Sequence, residues 1–154
     1  KKLYRQLNHA FHGWLTPRSY GLTLKELKET TLRLPGYTVT SRRMNHSTNA
    51  LGYRLEAGGK RIAYSGDTDV CWSLVELGRN THVLILECSV TDELKVEGHL
   101  TPTACGRIAE QANCRHLALT HFYPVFKGYD IRKRVRRHFR GRLTLALDLT
   151  TFTV

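Results

Sequence analysis

Four side chains in this sequence could do metal or acid–base chemistry, and each stands where a strand stops or another element starts: His46, Asp67, His99 and His121. Asp67 is the most informative. The run Ala63–Tyr64–Ser65–Gly66–Asp67–Thr68 reads as a strand that ends abruptly on a glycine, an aspartate and a threonine. A carboxylate just past the end of a buried strand is aimed at a cleft, because ligands of open α/β sheets bind in the crevice at the carboxyl ends of the strands. Imidazole and carboxylate donors suit Zn²⁺, Mn²⁺ or Fe²⁺. A carboxylate can also bridge two ions, and two ions can clamp a phosphoryl or acyl transition state. Taken singly, each residue has a plainer use, as a surface histidine or, for Asp67, as a helix cap. The other histidines read as structural: His82 and His116 begin strands, His138 sits among arginines, and His9 and His12 share a short helix with no carboxylate.

The elements that must position these four follow from periodicity and turn chemistry. Leu3, Leu7 and Phe11 recur at helical spacing, and Pro17 and Gly21 interrupt the pattern. Residues 22–34 give no firm element, and Pro35–Gly36 marks a turn. Tyr37 and Val39 suggest a strand. Leu51–Ala57 and Lys60–Ser65 form a hairpin about Gly58–Gly59. Val70, Leu74 and Leu77 mark a helix of two turns, and Val83–Leu86 is an apolar run suited to a strand covered on both faces. Thr101–Pro102 has the chemistry of a helix start, a hydroxyl cap followed by proline. His116–His121 is the next strand, and Asp130 caps a helix with Ile131, Val135 and Phe139 inward. Leu143–Leu147 and Thr150–Val154 read as a closing pair of strands. Strand and helix alternate over residues 60–121, which makes two βαβ crossovers and a locally parallel sheet, with hairpins at both ends.

Composition bounds the rest. A chain of 154 residues that is 41% hydrophobic fits one domain with one core. No run of about 18 apolar residues exists, so no membrane-spanning helix is expected. The four cysteines form no CxxC pair, which argues against a structural zinc knuckle. They read instead as small buried hydrophobes of a reducing, cytoplasmic protein. The formal net charge is +11, and eight of the 24 Lys and Arg lie between Lys127 and Arg142. Such a surplus attracts polyanions by counterion release, so RNA or DNA is a candidate partner, with Arg132, Lys133, Arg136, Arg137 and Arg140 as the contacts.

Five motifs in order carry a resemblance: His46 before Leu51–Gly52–Tyr53–Arg54, then Tyr64–Ser65–Gly66–Asp67–Thr68, Leu84–Ile85–Leu86–Glu87–Cys88, Gly98–His99–Leu100–Thr101–Pro102 and Leu119–Thr120–His121–Phe122. Over residues 40–154 the chain resembles the C-terminal half of a metallo-β-lactamase-fold hydrolase, closest to the ribonuclease Z branch. The resemblance implies an α/β fold, half of an αββα sandwich, and two zinc ions (or manganese or iron) in the complete site. It assigns His46 to the first metal, Asp67 to the bridge and His121 to the second metal. His99 becomes the catalytic histidine that stabilises the attacked phosphate or protonates the leaving oxygen, and Glu87 orients it. The implied activity is phosphodiester hydrolysis through a metal-bridging hydroxide, with RNA or another phosphodiester as substrate. Thioester or lactone hydrolysis on the same fold, or a basic nucleic-acid-binding or assembly module without catalysis, are the alternatives.

The sequence also departs from that family. The signature His-x-His-x-Asp-His, which supplies further ligands to both metals, is absent. Two protein ligands per ion are fewer than a catalytic zinc normally has. The chain alone is therefore expected to bind metal weakly and to be inactive. One sheet face should lack its partner layer and expose apolar surface, to be covered by a missing N-terminal half or by a second copy in a homodimer. A first residue other than methionine fits a truncated chain. Tyr123–Pro124–Val125–Phe126 stands where ribonuclease Z proteins carry an arginine, which favours the broader hydrolase family over tRNA 3′-processing.

Overall fold

The computed structural model describes residues 1–154. A helix, α1 (Lys2–Ala10), precedes seven strands that form one sheet in sequence order. They are β1 (Thr30–Leu34), β2 (Tyr37–Arg43), β3 (Leu51–Ala57), β4 (Lys60–Tyr64), β5 (Val83–Glu87), β6 (His116–Thr120) and β7 (Arg142–Leu145). The first three pairings are antiparallel and the last three parallel. Three helices make the parallel crossovers: α2 (Trp72–Gly78), α3 (Pro102–Gln111) and α4 (Ile131–Val135).

Local chemistry explains the elements. Gly58 and Gly59 both adopt positive φ in the two-residue β3–β4 turn, as a tight hairpin requires. Thr101 caps α3 by accepting from the Ala104 N–H at 3.4 Å, with Pro102 in the first turn. Asp130 Oδ1 caps α4 by accepting from the Lys133 N–H at 2.9 Å.

Alternation along the strands sends Ala63, Leu84, Leu86, Leu117, Leu119 and Leu143 to one face, where they form a single core with Leu74, Leu77, Cys105, Ile108, Val135 and Phe139 from the helical side. Each fully buried leucine contributes about 2 kcal/mol. Gly106 lets α3 and α4 meet closely, since a Cβ there would lie 2.8 Å from the Val135 carbonyl oxygen.

The opposite face is different. By the same alternation Leu34, Tyr37, Tyr53, Leu55 and Tyr64 share it, and all five are exposed, by 37% to 45%. No helix of the structure packs across it.

Three features depart from the sequence reading. Thr30–Leu34 is a strand that its sequence does not announce: an edge ribbon with four of five residues exposed. The chain end is not a hairpin. β7 runs parallel to β6 after a third crossover through α4, while residues 150–154 form no strand and place Phe152 edge-on to His116 at 5.4 Å. Finally, Pro124–Phe126 is a short 3₁₀ turn after His121. The four cysteines are free, three of them buried. No helix is long and apolar enough to cross a membrane.

Candidate metal centre

Four loops converge at the carboxyl end of the parallel strands and at the β2–β3 connection beside it. Asp67 follows β4 across Gly66, which takes φ +61°. Glu87 ends β5. His99 sits three residues before α3, after Gly98 with φ +84°. His121 follows β6 and itself has φ +62°, a left-handed conformation that costs a non-glycine residue about 1–2 kcal/mol. His46 lies in the loop after β2. Left-handed residues in three of these loops turn the chain sharply enough to bring the side chains together.

Asp67, His99 and His121 each offer a donor atom, and the three atoms lie within 4.8 Å of one another. His121 Nε2 is 3.5 Å from Asp67 Oδ1. Two donors on one tetrahedral zinc, each bonded at about 2.0–2.2 Å, stand about 3.4 Å apart, so this pair fits a divalent ion. The His46 ring neighbours that of His99 at 5.2 Å between centroids. Tyr123 closes the other flank, 5.7 Å from His99 and 5.3 Å from His121.

Hydrogen bonds decide which imidazole nitrogen faces the cluster. His99 Nδ1 is 3.0 Å from Glu87 Oε1, a carboxylate oxygen that can only accept. His46 Nδ1 is 3.1 Å from the Gly98 carbonyl oxygen, which also only accepts. Both rings therefore carry their proton on Nδ1 and keep Nε2 free. Metal-ligating histidines are commonly held this way, and so are acid–base histidines.

Glu87 is 1% exposed and fully engaged. Its Oε1 accepts from the Thr68 N–H at 3.2 Å as well as meeting His99. Its Oε2 accepts from the Ser89 N–H and hydroxyl at 3.0 and 2.7 Å. A buried carboxylate with this many donors is stabilised rather than merely tolerated.

Asp69 joins three of the ligand-bearing loops. Its N–H donates to the Asn45 carbonyl at 2.7 Å, next to His46. Its Oδ2 accepts from Gly98 N–H at 3.2 Å and from Lys95 Nζ at 2.6 Å. Lys95 Nζ also donates to the His99 carbonyl at 2.8 Å. Burial alone would raise the Asp69 carboxyl, but the donors Lys95, Val70 N–H and Gly98 N–H outweigh it and hold the group below the ordinary aspartate range.

The sequence reading missed Asp69, Lys95 and Ser89. Asp69 had a signal in its spacing from Asp67. Lys95 had none, since it acts across 26 residues from an irregular segment.

The basic residues of α4 and its flank have divided positions. Arg132, Lys133, Arg137 and Arg140 are exposed, whereas Arg136 donates inward to the Phe139 and Gly141 carbonyls. Arg134 pairs with Glu93 and stands over the Tyr129 ring at 5.3 Å.

Residues 3–122 match the family described as beta-lactamase superfamily domain. An uncharacterized protein of Mycobacterium tuberculosis is 36% identical over 124 residues, covering 79% of this chain and 45% of that protein. Ribonuclease Z of Streptomyces coelicolor is 27% identical over 168 residues, covering 78% of this chain and 56% of the relative. The chain thus spans about half the length of the curated relatives it matches. Among solved structures, the metallo-beta-lactamase fold protein YhfI from Bacillus subtilis superposes with TM-score 0.73 at 24% identity, over 86% of this chain and 56% of that one. The short form of human tRNase Z gives TM-score 0.63 at 24% identity, over 81% and 46%. Sheet order and crossovers are thereby accounted for together: the chain belongs to the beta-lactamase superfamily, with the metallo-β-lactamase fold and a ribonuclease Z-like sequence.

Proposed function

We propose that the chain carries part of the active site of a metal-dependent hydrolase whose substrates are phosphodiesters, RNA among them. The observation that carries this reading is the convergence of Asp67, His99 and His121 donors within 4.8 Å at the carboxyl ends of the strands. Similarity to a ribonuclease Z, a tRNase Z and a diphosphatase supports the phosphoryl substrate class.

In this reading Asp67 and His121 would hold a divalent ion, zinc being the best match to the donor set, and His46 would be a ligand of a second ion. Such an ion supplies a Lewis acid for a phosphoryl oxygen and lowers the pKa of bound water. The rest is done by this chain's own residues. Glu87 fixes the orientation of the His99 ring through Nδ1, which leaves Nε2 as the atom that would meet a phosphate oxygen or the leaving oxygen. Asp69 and Lys95 keep the loops of His46, Asp67 and His99 in register. Further ligands come from a segment beyond these residues or from a second copy, and the bare sheet face supports such a partner layer.

A second reading rests on the same cluster. With His99 as a ligand, Asp67, His99 and His121 form a three-donor site with an open fourth position, the usual count for catalytic zinc. Cobalt(II) titration followed by visible absorption separates the two. Asp67→Ala should weaken binding by at least about 10-fold in either case. His99→Gln should match it if His99 is a ligand. If His99 is the acid, the variant should keep its metal and lose the limb of the pH–rate profile that a general acid produces. Unchanged metal affinity in Asp67→Ala, together with an unchanged hydrolysis rate of the complete protein, sinks the proposal.

A further inference from the structure

The opposite end of the same strands has its own chemistry. Lys60 and Arg61 open β4, Arg115 precedes β6, Arg140 precedes β7 and Arg142 opens it. Arg61, Arg115 and Arg140 line a cavity of about 570 Å³, and Arg115 and Arg142 line an adjoining one of about 210 Å³ beside His82. None of the five cations has a carboxylate within ion-pair distance; the protein's arginine and lysine pairs lie elsewhere. Glu56, across the ladder from Arg61, is taken at 2.8 Å by Arg54. Arg61 Nε is buried without a hydrogen-bond partner, in a protein where no other buried side-chain N or O atom lacks one.

The local background does not neutralise this charge. Glu110 is the one acidic residue of the larger cavity's wall. The carboxyl ends of α2 and α3 also lie at this edge, next to Asn80 and Asn113 of that wall, and each offers about half a negative charge. A surplus of about three positive charges remains. Burial, followed by the charges of Arg115, Lys60 and Arg61, pulls the His82 imidazole below the ordinary histidine range.

We propose that this amino-terminal edge of the sheet is a binding track for the backbone of a single-stranded nucleic acid, separate from the metal centre at the other end of the strands. Shape is the first reason. The cations are spread along the strand starts from β4 to β7, three interstrand steps of about 4.8 Å or about 14 Å in all, rather than converging on one point. A row of that length suits successive phosphates better than one small anion. Chemistry is the second. Four of the five are arginines, whose planar forks hold phosphate oxygens in pairs. The third is what the wall lacks. Its large apolar side chain, Phe139, is 3% exposed, so the groove gives an acidic peptide no apolar anchor, whereas a charged groove that follows the backbone is enough for a single strand.

The track requires no metal, so it is tested in chelator, where failure of the hydrolase reading has no bearing. Binding of a dye-labelled oligouridylate with hydroxyl ends is followed by fluorescence anisotropy against salt. Combined Arg61→Gln, Arg115→Gln and Arg140→Gln should weaken binding at least about 10-fold and flatten the log–log salt slope by about 2, the change for three single-strand phosphate contacts. Arg132→Gln, Lys133→Gln and Arg137→Gln on and beside α4 should do less. Lysines at the three edge positions should retain most of the binding and report on any folding defect in the glutamine variant. The proposal is overturned if the α4-side substitutions cost as much as the edge ones, or if the edge variant binds normally. It is also overturned if tripolyphosphate or polyglutamate of equal charge competes as well as the oligonucleotide.

Discussion

The two ends of the parallel strands β4–β7 are built by opposite rules. At the carboxyl end, Asp69, Glu87, Asp92 and Glu93 are paired with donors, and left-handed residues stand in three of the loops. At the amino end, Lys60, Arg61, Arg115, Arg140 and Arg142 stand without ion pairs. The first end is preorganised around Glu87, Asp69 and Asp92, each held by several donors, so removing one leaves those donors stranded. The second keeps its charge unspent, which leaves it available to a partner. The difference teaches where stability and function are coupled in this fold. Substitutions at the carboxyl end should damage both, and substitutions at the amino end should damage binding alone.

The strongest test of that contrast is Glu87→Ala. It removes one carboxylate and leaves the Thr68 N–H, the Ser89 N–H, the Ser89 hydroxyl and His99 Nδ1 without their acceptor. Loss of a buried, hydrogen-bonded charge of this kind typically costs about 3–5 kcal/mol. Thermal unfolding should show a Tm drop of about 6–20 °C, on the scale of about 2–4 °C per kcal/mol for a chain of this size. A variant melting within a few degrees of the parent would mean that the carboxyl end is not a single network.

The same contrast explains what was legible in the sequence. Elements closed by local chemistry were readable: the hairpin at Gly58–Gly59, and α3 behind Thr101–Pro102. So was the general place of Asp67, His99 and His121, because strand and helix ends are locally marked and parallel order follows from the crossovers. The network that holds them was not, because Lys95 reaches Asp69 and Glu87 meets His99 across long sequence separations. Thr30–Leu34 escaped because an edge strand with mostly exposed residues has no buried stripe to betray it. The final strand pairing failed for a topological reason. Residues 143–147 and 150–154 look alike in composition, but the crossover through α4 commits the first to parallel pairing with β6, and Leu149 at φ +64° turns the chain away.

Asp92→Asn probes the same end at intermediate strength. Asp92 ties the loop after β5 to α3 and α4: Oδ1 accepts from Thr103 N–H at 3.0 Å, and Oδ2 accepts from Thr103 Oγ1 and the Tyr129 hydroxyl at 2.7 and 3.0 Å. Burial would raise its carboxyl, but the hydrogen bonds from Thr101, Thr103 and Tyr129 hold it below the ordinary aspartate value of 3.8. Burial and the neighbouring Asp92 push the Tyr129 phenol up to about 12, so it remains a donor at neutral pH. An asparagine amide cannot accept at both positions, and the variant should lose about 1–3 kcal/mol. The sign of the pH dependence follows from linkage. A depressed folded-state pKa stabilises the protein above the unfolded value, and that contribution disappears as pH falls through the folded value. The Tm gap between parent and variant should therefore be full near neutrality and close below pH 3.8. A gap independent of pH would assign the loss to packing and remove Asp92 from the charged network.

The smallest effect is expected at the amino end, and its sign is informative. Arg115 is exposed, has no ion pair, and shares its surroundings with Arg61, Arg140 and Arg142. The backbone bonds of this position, from its N–H to the Thr81 carbonyl and from the Arg142 N–H to its own carbonyl, do not involve the side chain. Arg115→Gln should therefore leave stability within about 0.5 kcal/mol of the parent, as for most surface substitutions. Because it relieves repulsion, any change should be a gain. Screening should erase that gain, since the Debye length falls from about 30 Å at 0.01 M salt to about 3 Å at 1 M. Thermal melts at the two salt concentrations measure this directly. A Tm that rises at low salt and matches the parent at high salt identifies the edge as self-repelling, with its charge free to meet a polyanion. A Tm that falls at both would show that Arg115 supports the fold through contacts of its side chain, and the two ends of the sheet would then differ in charge but not in kind.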